Sequence, residues 1–235
     1  MQNIANKIKK IKKERNKEKL SNIAYDSIKS AIVNFEFEPG SYLSENLLAD
    51  VLGMSRTPVR EALKLLAQEK LINIYDGGIT VSDISIEDLN EIFIARKALE
   101  KEAIKFSFYN FSYEETTSLR ESWREFLIKI EEGDKISWKQ IAEKDKELHS
   151  NIIYKSNNSY IISLYNNISS QIERYQLLSA VANNNIVDTI NQHIEIIDLI
   201  EKNKKDLLVK KVSNHITDSI SNISKGMLNE NIDMI

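Results

Sequence analysis

Three histidines are spread through the 235 residues, at His149, His193 and His215. Asp145 stands four residues before the first of them. On an α-helix that spacing puts a carboxylate and an imidazole on one face. His193 and His215 flank a polar break at Asn203, ten residues before it and twelve after it. Across an antiparallel helical hairpin the two can face each other at similar height. One carboxylate and three imidazoles converging inside a bundle would bind a divalent cation and leave coordination positions open. On spacing alone the other reading also stands: each histidine is an ordinary core or surface residue.

A second chemistry is written in consecutive residues. Leu48-Ala49-Asp50-Val51-Leu52-Gly53-Met54 is followed by Ser55-Arg56-Thr57-Pro58-Val59-Arg60-Glu61-Ala62-Leu63. A short helix, a glycine turn and a second helix let the second helix lie in the major groove of DNA. The N-terminus of that helix offers free N–H groups and a positive dipole end to phosphate. Ser55 and Thr57 can donate hydroxyls to phosphate oxygens, and Arg56 and Arg60 can reach base edges. Alternatively, Thr57 only caps the helix and Arg60 only pairs with an acid.

The elements that must position these groups are mostly helices. Apolar residues recur at helical spacing from Ser21 to Phe35, and Pro39-Gly40 ends that element. A short helix is predicted over Leu43 to Leu52, stopped by Gly53. Thr57 then reads as an N-cap with Pro58 at the first helical position, and the helix runs to about Glu69. Two β-rich runs, Leu71 to Tyr75 and Ile79 to Val81, surround Asp76-Gly77-Gly78 and predict a hairpin. Helix, helix, turn, helix, hairpin is the order of a winged helix-turn-helix. After Ser82 the pattern turns wholly helical, with helices near 85–109, 112–132, 136–156, 159–180, 186–202 and 205–227. Ser85 with Asp88 and Ser112 with Glu115 fit N-capping patterns. Asn110, Gly133-Asp134, Asn157-Asn158, Asn183-Asn184-Asn185 and Asn203 supply the breaks.

Composition excludes several classes. There is no Cys, so no disulfide, thiolate metal site or thiol nucleophile is possible. Hydrophobic residues make up 42% of the chain, enough for a packed core. No run of about 18 apolar residues suggests a membrane span, and the basic N-terminus lacks the apolar segment of a signal peptide. A cytoplasmic protein is expected. The net charge of −3 is unevenly placed: residues 1–80 hold 13 Lys/Arg against 10 Asp/Glu, while residues 81–235 hold 19 against 25. A basic head on an acidic body favours DNA contact at the head. Residues 1–20 hold eight basic side chains from Lys7 to Lys19, and read either as a solvated extension or as an arm touching phosphates.

The stretch from Pro39-Gly40 through Leu48-Ala49, Leu52-Gly53 and Ser55 to Leu63, with a glycine-bearing wing, resembles the DNA-binding domain of the GntR superfamily of bacterial regulators over about residues 20–82. The resemblance implies base recognition by Arg56 and Arg60. It also implies phosphate support from Ser55 and Thr57, and a wing tip near Gly77 and Gly78 entering the minor groove. Two departures stand out. Position 46 is Asn where several relatives have a DNA-touching Arg, and no Arg or Lys lies between Leu71 and Ser82. Ile92 to Glu100, Asp145 to His149 with Asn158 nine residues on, His193 to Ile197, and His215 resemble the FCD ligand-binding domain of the FadR-type branch, over about 85–227. That resemblance implies Asp145, His149, His193 and His215 as ligands of a divalent metal, commonly zinc, nickel or manganese. It implies Arg96 as a pocket residue that clamps a carboxylate through its fork. A salt bridge from Arg96 to Glu100 is the alternative. Asn158 and Arg174 are further effector-pocket candidates, and Asn158 could equally cap the next helix. The six-helix count is similar to the shorter form of the domain, unlike the longer acyl-CoA-sensing form.

The expectation is therefore a mainly α protein. It comprises a basic extension (1–20), a winged helix-turn-helix domain (21–82) and an antiparallel bundle of about six helices (83–230). The expected function is a transcriptional regulator and not an enzyme, reading double-stranded operator DNA as a homodimer, because paired recognition helices match a palindrome. A small organic acid at the metal would modulate DNA binding, with repression as the expected sign. Two alternatives remain. A helical metal-dependent hydrolase with a DNA-binding appendage lacks an adjacent His-Asp pair and a fourth His as base. A regulator with a purely structural metal keeps the same ligands.

Overall fold

The computed structural model describes residues 19–182 and 186–228, and these divide into two compact units between Ile84 and Ser85. The basic extension before Lys19 and the Asn183-Asn184-Asn185 break lie outside the described residues. No described helix is long and apolar enough to cross a membrane.

In the first unit, α1 (Leu20–Val33) packs on α3 (Arg56–Gln68), and α2 (Glu45–Leu52) also packs on α3. A three-stranded antiparallel sheet has the order β1 (Tyr42–Leu43), β3 (Gly78–Val81), β2 (Ile72–Tyr75). One core unites them: Ile28 and Ile32 of α1, Leu48 and Leu52 of α2, Val59, Leu63 and Leu66 of α3, and Val81 of β3 are all buried. Burying such side chains stabilises the unit by about 1.5–3 kcal/mol each.

Two local expectations are corrected. Leu43 does not begin a helix. Tyr42 and Leu43 pair with Thr80 and Ile79 as a third strand, and α2 starts only where the Ser44 side chain accepts the Leu47 N–H. The recognition helix starts two residues earlier than Thr57-Pro58 suggested. Ser55 is its N-cap and Arg56 its first residue, so Pro58 falls third, still in the first turn where a missing N–H loses no intrahelical bond. Gly53 ends α2 in the left-handed conformation (φ 59°), which a glycine adopts without steric penalty.

Among its described residues the second unit holds six helices: α4 (Ile86–Ser107), α5 (Tyr113–Glu131), α6 (Trp138–Tyr154), α7 (Ser159–Ala182), α8 (Ile186–Glu201) and α9 (Lys205–Leu228). The order and type of elements agree with the reading from sequence. Helix α4 packs on α6, α7 and α9, and α5 packs on α8. Helix starts are fixed by side chains: Ser85 accepts from Asp88 N–H, and Ser112 with Glu115 and Ser137 with Gln140 form reciprocal capping boxes. Stops fall at Gly133, Asn157 and Asn203, each with positive φ. Asn accepts that conformation more readily than other non-glycine residues, which is why polar breaks in the sequence become turns.

Candidate DNA-reading surface and metal centre

The tip of α3 presents Ser55, Arg56, Thr57 and Arg60 to solvent, while Val59, Ala62, Leu63 and Leu66 hold its other side in the core. No acidic residue lies in its first turn, and Ser55 makes no side-chain cap bond. The free N–H groups at that end therefore face outward with their positive dipole. Arg60 donates from Nη2 to Glu45 Oε2 at 2.8 Å and from Nε to Glu45 Oε1 at 3.2 Å. The Arg60 guanidinium lowers the Glu45 carboxyl from its ordinary range, through that hydrogen bond first. The acid-pairing alternative for Arg60 is thus realised, yet the side chain stays 60% exposed and can still swing to a base edge. The hairpin turns at Asp76-Gly77, and Tyr75 pairs with Gly78. Gly78 carries the positive φ (137°), and the exposed Tyr42 ring lies against it so closely that a Cβ would overlap it.

In the second unit the four expected ligands come together. Asp145 and His149 stand on α6, His193 on α8 and His215 on α9, and one donor atom from each lies within 4.8 Å of all the others. Asp145 Oδ1 is 2.9 Å from His193 Nε2, 3.6 Å from His215 Nε2 and 3.7 Å from His149 Nε2. His193 Nε2 and His215 Nε2 are 3.1 Å apart. All three imidazoles are buried.

The outer nitrogens decide what the inner ones offer. His149 Nδ1 is 2.5 Å from Glu100 Oε2, and an ionised carboxylate only accepts, so this nitrogen carries the proton. His215 Nδ1 likewise donates to Gln192 Oε1 at 2.8 Å. Both rings therefore turn bare Nε2 lone pairs toward Asp145. His149 Nε2 is buried with no hydrogen-bond partner. An orphaned acceptor beside a carboxylate is what a cation would satisfy, so the residues fit a divalent metal bound through three Nε2 atoms and Asp145, with partners behind the ligands that fix ring orientation. Burial pushes the Asp145 carboxyl up, but the surrounding imidazoles outweigh it and hold it well below the usual carboxylate range. Burial, then the neighbouring His215, lowers His193 to about 3. Neutral imidazole is the form a metal requires.

Sequence reasoning missed the supporting shell. Glu100 bridges Arg96 Nε (2.8 Å) and His149, and is fully buried. Burial raises the Glu100 carboxyl, but His149 and Arg96 overcome this and leave it below its ordinary range. Gln176 on α7 donates to Asp145 Oδ2. Trp123 on α5 stacks on His193 with ring centroids 4.3 Å apart. Only the Glu100 signal was available earlier, as the i+4 partner of Arg96.

A cavity of about 600 Å³, counting its open mouth, reaches the cluster and is lined by Phe93, Arg96, Trp123, Asp145, Gln176 and His193 among others. Arg96 makes the expected alternative pair with Glu100, lies 3.5 Å from Asp145 Oδ2, and also lines the cavity. Asn158 and Arg174 are not in that lining. Asn158 caps α7, its Oδ1 accepting the N–H groups of Tyr160 and Ile161. Arg174 is buried on α7 next to Tyr175, whose hydroxyl bonds the Ser85 backbone.

An exposed helix tip in a winged helix-turn-helix unit and a buried Asp/His cluster in a separate helical bundle are the arrangement of a DNA-binding regulator with a second, helical domain. Residues 20–81 match the gntR family of bacterial regulatory proteins, and residues 91–218 match the FCD domain. The chain belongs to the GntR family of transcription regulators, in the branch that carries an FCD domain, and these are regulators rather than enzymes. Among relatives, it is 26% identical to the uncharacterized HTH-type transcriptional regulator YdhC of Bacillus subtilis over 81% of this chain and 85% of that protein. It is 28% identical to the gluconate operon transcriptional repressor of Bacillus licheniformis, over 81% of this chain and 79% of the relative. The fold is similar to E. coli McbR/YncC, with a TM-score of 0.74, 21% identity, and coverage of 89% of this chain and 99% of that one.

Proposed function

We propose that this regulator is a repressor whose grip on operator DNA is set by a small organic acid bound beside a divalent metal in the FCD domain. The observation that carries this reading is the convergence of Asp145 and three Nε2 atoms within 4.8 Å, at the inner end of a cavity that also holds Arg96. Zinc is the first candidate, with nickel or manganese as alternatives; a bound cation would supply two positive charges and open positions for a carboxylate. Glu100 and Gln192 hold two of the rings in place. The Arg96 guanidinium offers a charge-assisted hydrogen bond to the acid. Arg56 and Arg60 read bases, Ser55 and Thr57 hold phosphates, and the Asp76-Gly77-Gly78 tip meets the minor groove through backbone atoms. The regulator acts as a homodimer, since two recognition helices about one DNA turn apart match a palindrome. Relatives named as gluconate operon repressors support the sign of regulation.

The test is a gel shift on DNA upstream of the chain's own gene, using zinc-loaded and chelator-treated protein and a panel of organic acids. Release of DNA by an acid only when metal is bound is the expected result. Loss of binding on chelation alone, with no response to any acid, favours a structural metal instead.

A further inference from the structure

The hairpin of the first unit has no cation to offer DNA. Asp76 is the one charged residue from Leu71 to Ser82, so the wing carries a net negative charge. Any grip it has on a polyanion must come from uncharged donors. Two tyrosines supply such donors where the chain turns. Tyr42 of β1 and Tyr75 of β2 stand on the strands either side of β3, and they are 64% and 52% exposed. Tyr42 pairs with Thr80, two residues from Gly78, and Tyr75 pairs with Gly78 itself. That register puts both side chains on one face of the sheet.

The glycines of the tip let both rings lie down on it. A Cβ on Gly77 would come within 2.6 Å of Tyr75 Cε2, and one on Gly78 within 2.6 Å of the Tyr42 hydroxyl oxygen. Each ring therefore occupies space that the side chain of another residue would fill. A tyrosine has only two side-chain torsions to fix, so a ring seated this way presents its hydroxyl at little entropic cost. Neither hydroxyl bonds another described residue. Tyr42 is also continuous with the reading surface: Leu43 beside it is buried, Ser44 caps α2, and Glu45 holds Arg60. The strands that bear the two rings are two strand spacings apart, about 10 Å, with β3 between them. A minor groove about 6 Å wide has a phosphate wall on either side.

We infer that Tyr42 and Tyr75 are the phosphate-binding residues of the wing, donating their hydroxyls to the two DNA strands that border the groove its tip enters. This rests on the DNA-reading role of α3. A hydroxyl neutralises no phosphate charge and releases no counterion, so the wing adds affinity without adding salt dependence.

The experiment is fluorescence anisotropy with the full-length chain and a labelled duplex that the wild type selects from a random pool, in about 50 to about 200 mM KCl. Tyr42→Phe and Tyr75→Phe keep the rings. Each is expected to bind about tenfold weaker at every salt concentration, with the slope of log affinity against log salt and the melting temperature both unchanged. Wild-type affinity in a variant overturns the assignment of that tyrosine. So does full affinity in Tyr42→Phe with a loss in Tyr42→Ala, which would assign the ring and not the hydroxyl. A slope that falls by about 0.9 or more in a Tyr→Phe variant means that cationic contacts were lost, and it too overturns the proposal. If Arg56→Ala combined with Arg60→Ala binds the same duplex as tightly as the wild type, the reading role of α3 falls, and the wing assignment with it.

Discussion

The two units do their chemistry by opposite means. In the first, Ser55, Arg56, Thr57 and Arg60 are consecutive or one turn apart, exposed, and placed by a single helix whose apolar face is anchored in a small core. In the second, Asp145, His149, His193 and His215 come from three helices, are buried or nearly so, and are held by Glu100, Gln176 and Trp123 from three further helices and by Gln192 from α8 itself. A surface that meets a large polyanion needs reach and accessible charge. A site that binds a cation needs preset geometry and exclusion of water, which only packing from several elements supplies.

If that contrast is right, damage to the first unit should cost DNA affinity and little fold, and damage to the second should cost metal and fold together. Replacing Arg56 and Arg60 by Ala should weaken operator binding about 100-fold or more, with an unchanged melting curve, as gel shift and circular dichroism would show. Unaltered affinity would break the comparison at its first term. His193→Ala should lower zinc affinity by about 100-fold, measured by chelator competition, and should remove the rise in melting temperature that zinc gives the wild type. Glu100→Gln keeps an acceptor for Arg96 but weakens the bond to His149 Nδ1; a loss of about tenfold in zinc affinity is expected, with DNA binding of the metal-loaded protein retained. The smallest effect belongs to the hinge of the reading motif. Gly53→Ala forces a Cβ into the left-handed region and should destabilise the protein by about 1 kcal/mol in urea unfolding, since φ there is 59°.

The same contrast explains what could be read beforehand. The recognition helix was legible because its signals are local: a glycine stop, a short polar turn and an apolar stripe within twenty residues. Helix ends in the bundle were legible because Gly133, Asn157 and Asn203 announce a left-handed residue by type. Strand β1 was not, because two residues have no periodicity and exist as a strand only through pairing with Thr80 and Ile79. Three histidines and an aspartate could be proposed as ligands from spacing and resemblance. Gln176 and Gln192 could not, since nothing along the chain ties an amide on one helix to an imidazole or carboxylate on another. Asn158 illustrates the limit from the other side: a residue type suited to both a pocket and a cap was claimed by the nearer partners, the N–H groups of Tyr160 and Ile161.

The stacking of Trp123 on His193 has a practical consequence. The chain holds two tryptophans; Trp138 is 46% exposed, whereas Trp123 is sealed in the bundle with its ring against a ligand imidazole. The two indoles should therefore emit at different wavelengths, the sheltered one further to the blue. Nickel or manganese arriving at the cluster would dim that blue component and leave the red one untouched. If the cluster binds metal as proposed, Trp123 would serve as an optical gauge of its loading, readable in solution without a label and without DNA.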